Sequence, residues 1–176
     1  EVPLADIAFL RDALKANYEL AQAGLKGDGL GAHFGIGFRK LDNVSMIGQA
    51  KVLAAAAADA RMSGEPLSAM SCGGSGNVGI TASVPLIAVA EKEGKSEEEL
   101  LRALALSYLL TISGKAHIGR LSPMCACAMV ASIGIGAGTC YLLGGGCQAI
   151  EDTIGNLVGA TGGVLCDGAK YGCALK

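Results

Sequence analysis

From Leu121 to Gly146 the chain carries no charged side chain. A segment of that length and character can do one of two things: cross a bilayer, which takes roughly 20 apolar residues, or lie buried in a protein core. Its content favours burial. Alanine, glycine, serine and cysteine dominate, no aromatic belt flanks it, and only Gly134 with Gly138 supplies a GxxxG small-xxx-small contact. A core helix is therefore expected, and no membrane partner.

The rest of the chain has to supply helices that can cover such a core. From Leu4 to Leu25, Ile7, Leu10, Leu14, Tyr18 and Ala21 recur at spacings of three and four, while Arg11, Asp12, Lys15 and Glu19 take the other face. That spacing predicts an amphipathic helix. GLKGDGLGAHFGIGF then reads as a loop, too rich in glycine to continue it. Val44 to Met62, with KVLAAAAADARM, predicts a second helix stopped by Gly64 and Pro66. Ser96 and Glu99 form a capping box ahead of LLRALALSYLLTIS, with Gly114 as its stop. Ser122 and Pro123 open the uncharged helix, GGG breaks it, and a short helix follows from Gln148 to Val158. No alternating pattern predicts a strand. The fold class expected is all-α, one compact helical domain with glycine-rich loops.

Composition narrows the partners. Fourteen basic against sixteen acidic side chains give a net charge of -2, and aromatic residues make up 4%. With no basic run and few stacking platforms, nucleic acid is excluded. Seven cysteines are an odd count for a disulfide framework, and reduced thiols in a cytoplasmic protein are the expectation.

Three segments carry chemistry. GSGNVG, Gly74 to Gly79, matches G-x-G-x-x-G, but EPLSAMSCG precedes it where a dinucleotide fold needs a hydrophobic strand. Two readings of this loop stand side by side: a capped turn, or a cradle whose backbone amides, with Ser75, Gly76 and Asn77, hold a carboxylate or phosphate. KAHIGRLS places Lys115, His117, Arg120 and Ser122 at the mouth of the uncharged helix, where cations oppose the helix dipole unless an anion binds. His117 is one of two histidines available for proton transfer. A solvated polar linker is the plainer alternative. Cys125 falls in the first helical turn, where the dipole favours a thiolate. Cys127, two residues on, would point about 200° away, so at most one of the two should ligate a metal. Cys166 and Cys173 lie in loops able to wrap a metal centre, whereas Cys72, Cys140 and Cys147 read as packing residues. Paired C-x-x-C motifs of the zinc-ribbon type are absent.

GSGNVGITASVP, KAHIGRLSPMCACA, YLLGGG and CDGAKYGCALK, in that order, resemble the serine dehydratase-like α family, specifically its L-cysteine desulfidase branch (UPF0597-like), with iron-sulfur L-serine dehydratases more distant. The resemblance covers residues 1–176. It implies a 4Fe-4S cluster held by three thiolates, with Cys166 and Cys173 matching the closing pair and Cys125 preferred over Cys127 as the third. Three ligands on four irons leave one open as a Lewis acid for β-elimination from L-cysteine or L-serine, giving pyruvate, ammonia and sulfide or water. It also implies that the chain is the C-terminal part of a longer one. The general base would then come from the preceding portion, and the partners would be a small amino-acid substrate and the remainder of the full-length chain, with a homo-oligomer left open. A non-catalytic domain in which thiolates hold zinc or a structural cluster is the alternative.

Overall fold

The computed structural model describes residues 2–27, 31–119 and 121–176. The predicted first helix is a short turn of helix, α1 (Leu4–Ile7), followed after a break at Ala8 and Phe9 by α2 (Leu10–Lys26). Of the face read from the spacing, Ile7, Leu10 and Ala21 are buried and Leu14 and Tyr18 half-buried, while the neighbouring Ala13, Leu20 and Gly24 turn inward as well. Gly27 ends α2 in the left-handed conformation, with φ of 80°.

The segment expected as a loop contains a helix, α3 (Phe34–Leu41). The glycines there serve packing as well as flexibility. A Cβ on Gly35 would lie 2.6 Å from the Ala56 backbone, and one on Gly24 would lie 2.0 Å from the Ala56 carbonyl oxygen. Both α2 and α3 thus press against α4 (Met46–Met62), whose run of alanines lets other backbones come near. Ser45 caps α4 by accepting from the Gly48 amide at 2.9 Å.

The chain then turns at Gly73 and Gly74 into α5 (Gly76–Thr81), followed by α6 (Val84–Glu93). The capping box forms as predicted. Ser96 accepts from the Glu99 amide, and the Glu99 carboxylate accepts from the Ser96 amide at 2.8 Å. It opens α7 (Glu97–Ile118). Leu101 and Leu104 of α7 are wholly buried with Leu86 and Leu142, each such side chain contributing about 1.5–3 kcal/mol. Gly114 does not stop α7. Its missing side chain makes room for Val130, whose Cγ1 would stand 2.9 Å from a Cβ there, and the helix runs one turn further.

The uncharged segment becomes helical at Ala126, through a π-helical turn (Cys127–Ala131) into α8 (Ser132–Leu142). α9 (Cys147–Thr161) lies against α8 and has no fully buried residue. A 3₁₀ turn (Tyr171–Ala174) closes the chain against α4. The described residues are all-α: they contain no strand, only the isolated bridges Cys72–Ser75 and Met124–Leu165. No described helix is long and apolar enough to cross a membrane.

Candidate functional site

The closing segment reaches the uncharged helix through a short antiparallel ribbon. On either side of the Met124–Leu165 bridge, the Cys125 amide donates to the Val164 carbonyl at 2.7 Å and the Cys166 amide donates to the Pro123 carbonyl at 2.9 Å. Residues flanking a bridge project to the same face, because side chains alternate along extended backbone. Cys125 and Cys166 are thereby brought to one side. The chain reverses through Gly168 and Ala169, both at positive φ, and the 3₁₀ turn carries Cys173 back. Lys176 ties the end down, donating to the Leu165 carbonyl and to Asp167, both at 2.7 Å.

Four thiols consequently share one cavity of about 390 Å³: Cys125, Cys127, Cys166 and Cys173. Cys127 was expected on another face, but the helical spacing does not apply to it and Cys125. Cys125 precedes the first helical residue, and its carbonyl accepts the opening bond from the Met129 amide at 2.9 Å. Cys125 is held down at about 6, first by the Cys127 thiol donating to it and then, against the cost of burial, by the Ala128 and Cys127 amides. Cys127 is pushed up for the complementary reasons: it is the donor, it is partly buried, and the Cys125, Cys173 and Cys166 thiols lie near it. Among the described residues, no three His, Cys, Asp or Glu side chains close on a single ion position. An iron-sulfur cluster asks for something else, since each thiolate binds a different iron and the sulfurs stand apart. The donor set, thiolates from two chain segments, fits such a cluster.

The same cavity is also lined by the loop singled out from its glycines. Gly73 and Gly74 have φ of 56° and 82°, a pair of left-handed residues that only glycine adopts without strain. They let Cys72 and Ser75 exchange backbone hydrogen bonds at 3.1 and 3.2 Å. Ser75 caps α5 by accepting from the Val78 amide, so the capped turn is real, yet Ser75, Gly76 and Asn77 also line the cavity. A buried amide suspends this loop from the core: Asn17 accepts from the Met70 amide at 2.9 Å and donates to Ser83 at 2.9 Å, and Ser83 donates to the Gly79 carbonyl.

Lys115 and His117 lie in the last turn of α7, where cations suit the dipole; they are not at the entrance of the next helix. Two residues apart on a helix, they diverge. Lys115 is buried and lines the thiol cavity. His117 is exposed, with Nδ1 2.9 Å from the Ser113 carbonyl, and lines a different, apolar cavity of about 430 Å³ beside α9. His117 and the Ser75–Asn77 loop thus line different cavities. Ser122 lines the thiol cavity, and Arg120 lies outside the described residues. Burial pushes Cys72 up to about 11, and its thiol donates to the Tyr108 carbonyl at 3.8 Å, as befits a packing residue. Cys140 is half-buried, while Cys147 is exposed and so is no core residue.

Arg61 was not anticipated. It ends the alanine-rich α4, lines the cavity, and donates through Nη1 to Asn77 Oδ1 at 2.7 Å. The signal available in the sequence was a lone cation closing a helix of alanines. It gives no direction without knowledge of what packs there.

Comparison with known proteins adds the following. The sequence model of the family described as serine dehydratase alpha chain matches residues 1–176. A UPF0597 protein of Desulfotalea psychrophila is 46% identical over 180 residues, covering 100% of this chain and 41% of that protein. One from Desulfatibacillum aliphaticivorans is 47% identical over 180 residues, covering 97% of this chain and 40% of its own. One from Caldanaerobacter subterraneus subsp. tengcongensis is 41% identical over 181 residues, covering 99% and 41%. The chain thus spans about two fifths of the length of the curated relatives it matches. No solved structure matches it.

Proposed function

The chain belongs to the serine dehydratase alpha chain family, and from that premise we propose that it forms the cluster-bearing part of a lyase acting on a small L-amino acid. The reaction is β-elimination: L-cysteine and water give pyruvate, ammonia and sulfide, or L-serine gives pyruvate and ammonia. The proposal rests on the convergence of four thiols and the Ser75–Asn77 loop on one cavity. Cys166 and Cys173 are assigned two ligand positions of a 4Fe-4S cluster, and the Cys125–Cys127 pair the third. When bound, such a cluster supplies an iron free of protein ligands as a Lewis acid.

The chain's own residues bind and orient. Asn77 and the α5 N-terminus face the substrate carboxylate, while Lys115 adds positive charge to the same wall. No imidazole or carboxylate lines the cavity among the described residues. The group that takes the α-proton is assigned to the remainder of the longer polypeptide, and His117 stands outside this arrangement. Cysteine and serine share the carboxylate and amine and differ at the leaving atom, soft sulfur against hard oxygen.

The test is turnover. Full-length protein, reconstituted without oxygen, is to be assayed with each amino acid for pyruvate and for sulfide. Pyruvate release dependent on iron is the expected result. Colourless protein with stoichiometric zinc and no turnover would establish the non-catalytic alternative.

Asn77→Ala separates the two readings of the loop. It is expected to lower kcat/KM about 10- to 150-fold, the loss of a hydrogen bond to a charged group, with iron content unchanged. A capped turn without contact to substrate predicts early melting and normal kinetics per folded molecule.

A further inference from the structure

A guanidinium lines the cavity beside the loop at Gly76 and Asn77. Arg61 lines the cavity at the end of α4, and its Nη1 donates to Asn77 Oδ1 at 2.7 Å. A guanidinium only donates, so the amide atom that faces it must be the oxygen, which fixes the amide orientation of Asn77. Asn77 is 8% exposed. Its nitrogen is left with the Met62 thioether at 3.5 Å, a weak acceptor. Gly76 provides the seat: a Cβ there would lie 2.6 Å from Arg61 Nε and 2.8 Å from Cζ, so the guanidinium lies flat against the loop only because residue 76 has no side chain. Among the described residues, no carboxylate forms an ion pair with Arg61. Among the described residues, the cavity lining holds the cations Arg61 and Lys115 and no acidic side chain.

We infer that Arg61 is the carboxylate-binding residue of this site, held in place by the Asn77 amide oxygen and presenting its own remaining N–H groups to the anion. The inference rests on the lyase reading for the identity of the anion, the α-carboxylate of a small amino acid. A planar fork of donors matches a carboxylate with two parallel bonds, which a lysine cannot reproduce.

The experiment measures binding, not turnover. L-alanine carries the carboxylate and amine but no leaving group, and L-alaninamide carries the same skeleton without the negative charge. Calorimetry on the full-length, anaerobically reconstituted protein should show Arg61→Gln weakening L-alanine binding about 10- to 150-fold. L-alaninamide binding should change less than about twofold, since no charge-assisted bond is lost. Arg61→Lys should recover only part of the loss. Gly76→Ala, which keeps Arg61 but displaces it from its seat, should reproduce the Arg61→Gln pattern, and melting temperature verifies that each variant is folded. Equal weakening for both ligands would make Arg61 a prop for Asn77 alone and overturn the inference, as would unchanged L-alanine binding in Arg61→Gln; in either case pyruvate release by the wild type leaves the lyase reading standing. A wild type that neither binds L-alanine nor releases pyruvate would overturn both.

Discussion

Full-length protein carrying Cys166→Ser or Cys173→Ser, purified without oxygen, is expected to hold no cluster iron and to release no pyruvate. A hydroxyl is a hard, weakly acidic donor that does not replace a thiolate on iron. The two positions are also structurally unlike each other, which makes the pair of variants informative. Cys166 is pinned at the ribbon by its amide donating to the Pro123 carbonyl, while Cys173 rides on the 3₁₀ turn against α4. Loss of iron from both means that the ribbon and the closing turn each supply a ligand. The Cys125→Ala/Cys127→Ala double variant should behave the same way, and the single variant that loses iron identifies which sulfur of that pair is bound. Full iron and normal turnover in either serine variant would remove that cysteine from the ligand set.

The second large effect is expected outside the thiol cavity, in Gly24→Ala. The added carbon would lie 2.0 Å from the Ala56 carbonyl oxygen, and neither rotamer change nor a small side-chain shift relieves contact with helix backbone. α2 and α4 would have to separate. Overpacking of this kind should cost about 3 kcal/mol, lowering the melting temperature by roughly 6–12 °C in a domain of this size. Gly37→Ala is the control: it lies in α3 with nothing within 4 Å of the added carbon, so the better helix former should raise stability by up to about 1 kcal/mol. If Gly24→Ala melts with the wild type, the two helices do not approach as closely as described.

Those two glycines also show where the sequence could and could not be read. Local signals held wherever the chemistry was local: Ser96 with Glu99 opens α7, the alanine run is α4, and the alternation of polar and apolar residues locates the buried face of α2. Glycine misled, because a glycine that ends a helix and one that admits a neighbouring helix are the same letter. Gly114 was taken for a stop and admits Val130; Gly35 was read as loop and admits Ala56. The first of these errors moved Lys115 and His117 to the wrong end of a helix and suggested that they act together. The cysteine pair failed for a related reason. Where the helix begins, at Ala126 and not before Cys125, decides whether two thiols diverge or meet, and that boundary depends on the ribbon formed with a segment some forty residues on. Arg61 lay beyond local reading altogether, since its meaning comes from Asn77 and Gly76 on another element.

The ribbon has a dynamic consequence. Among the described residues, two backbone hydrogen bonds, at Cys125 and Cys166, flank the bridge that joins the closing segment to the head of the uncharged helix. So short a pairing opens locally without unfolding the domain, and its amides should exchange hydrogen with solvent far faster than those buried in the middle of α7. A metal group gripped by sulfurs from both segments would have to let go before the pairing could open, adding its binding free energy to that opening. The exchange rates of the Cys125 and Cys166 amides are therefore expected to fall sharply on reconstitution while those of α7 hold steady. Two peptide N–H groups would then report, without any assay of turnover, what fraction of molecules is loaded.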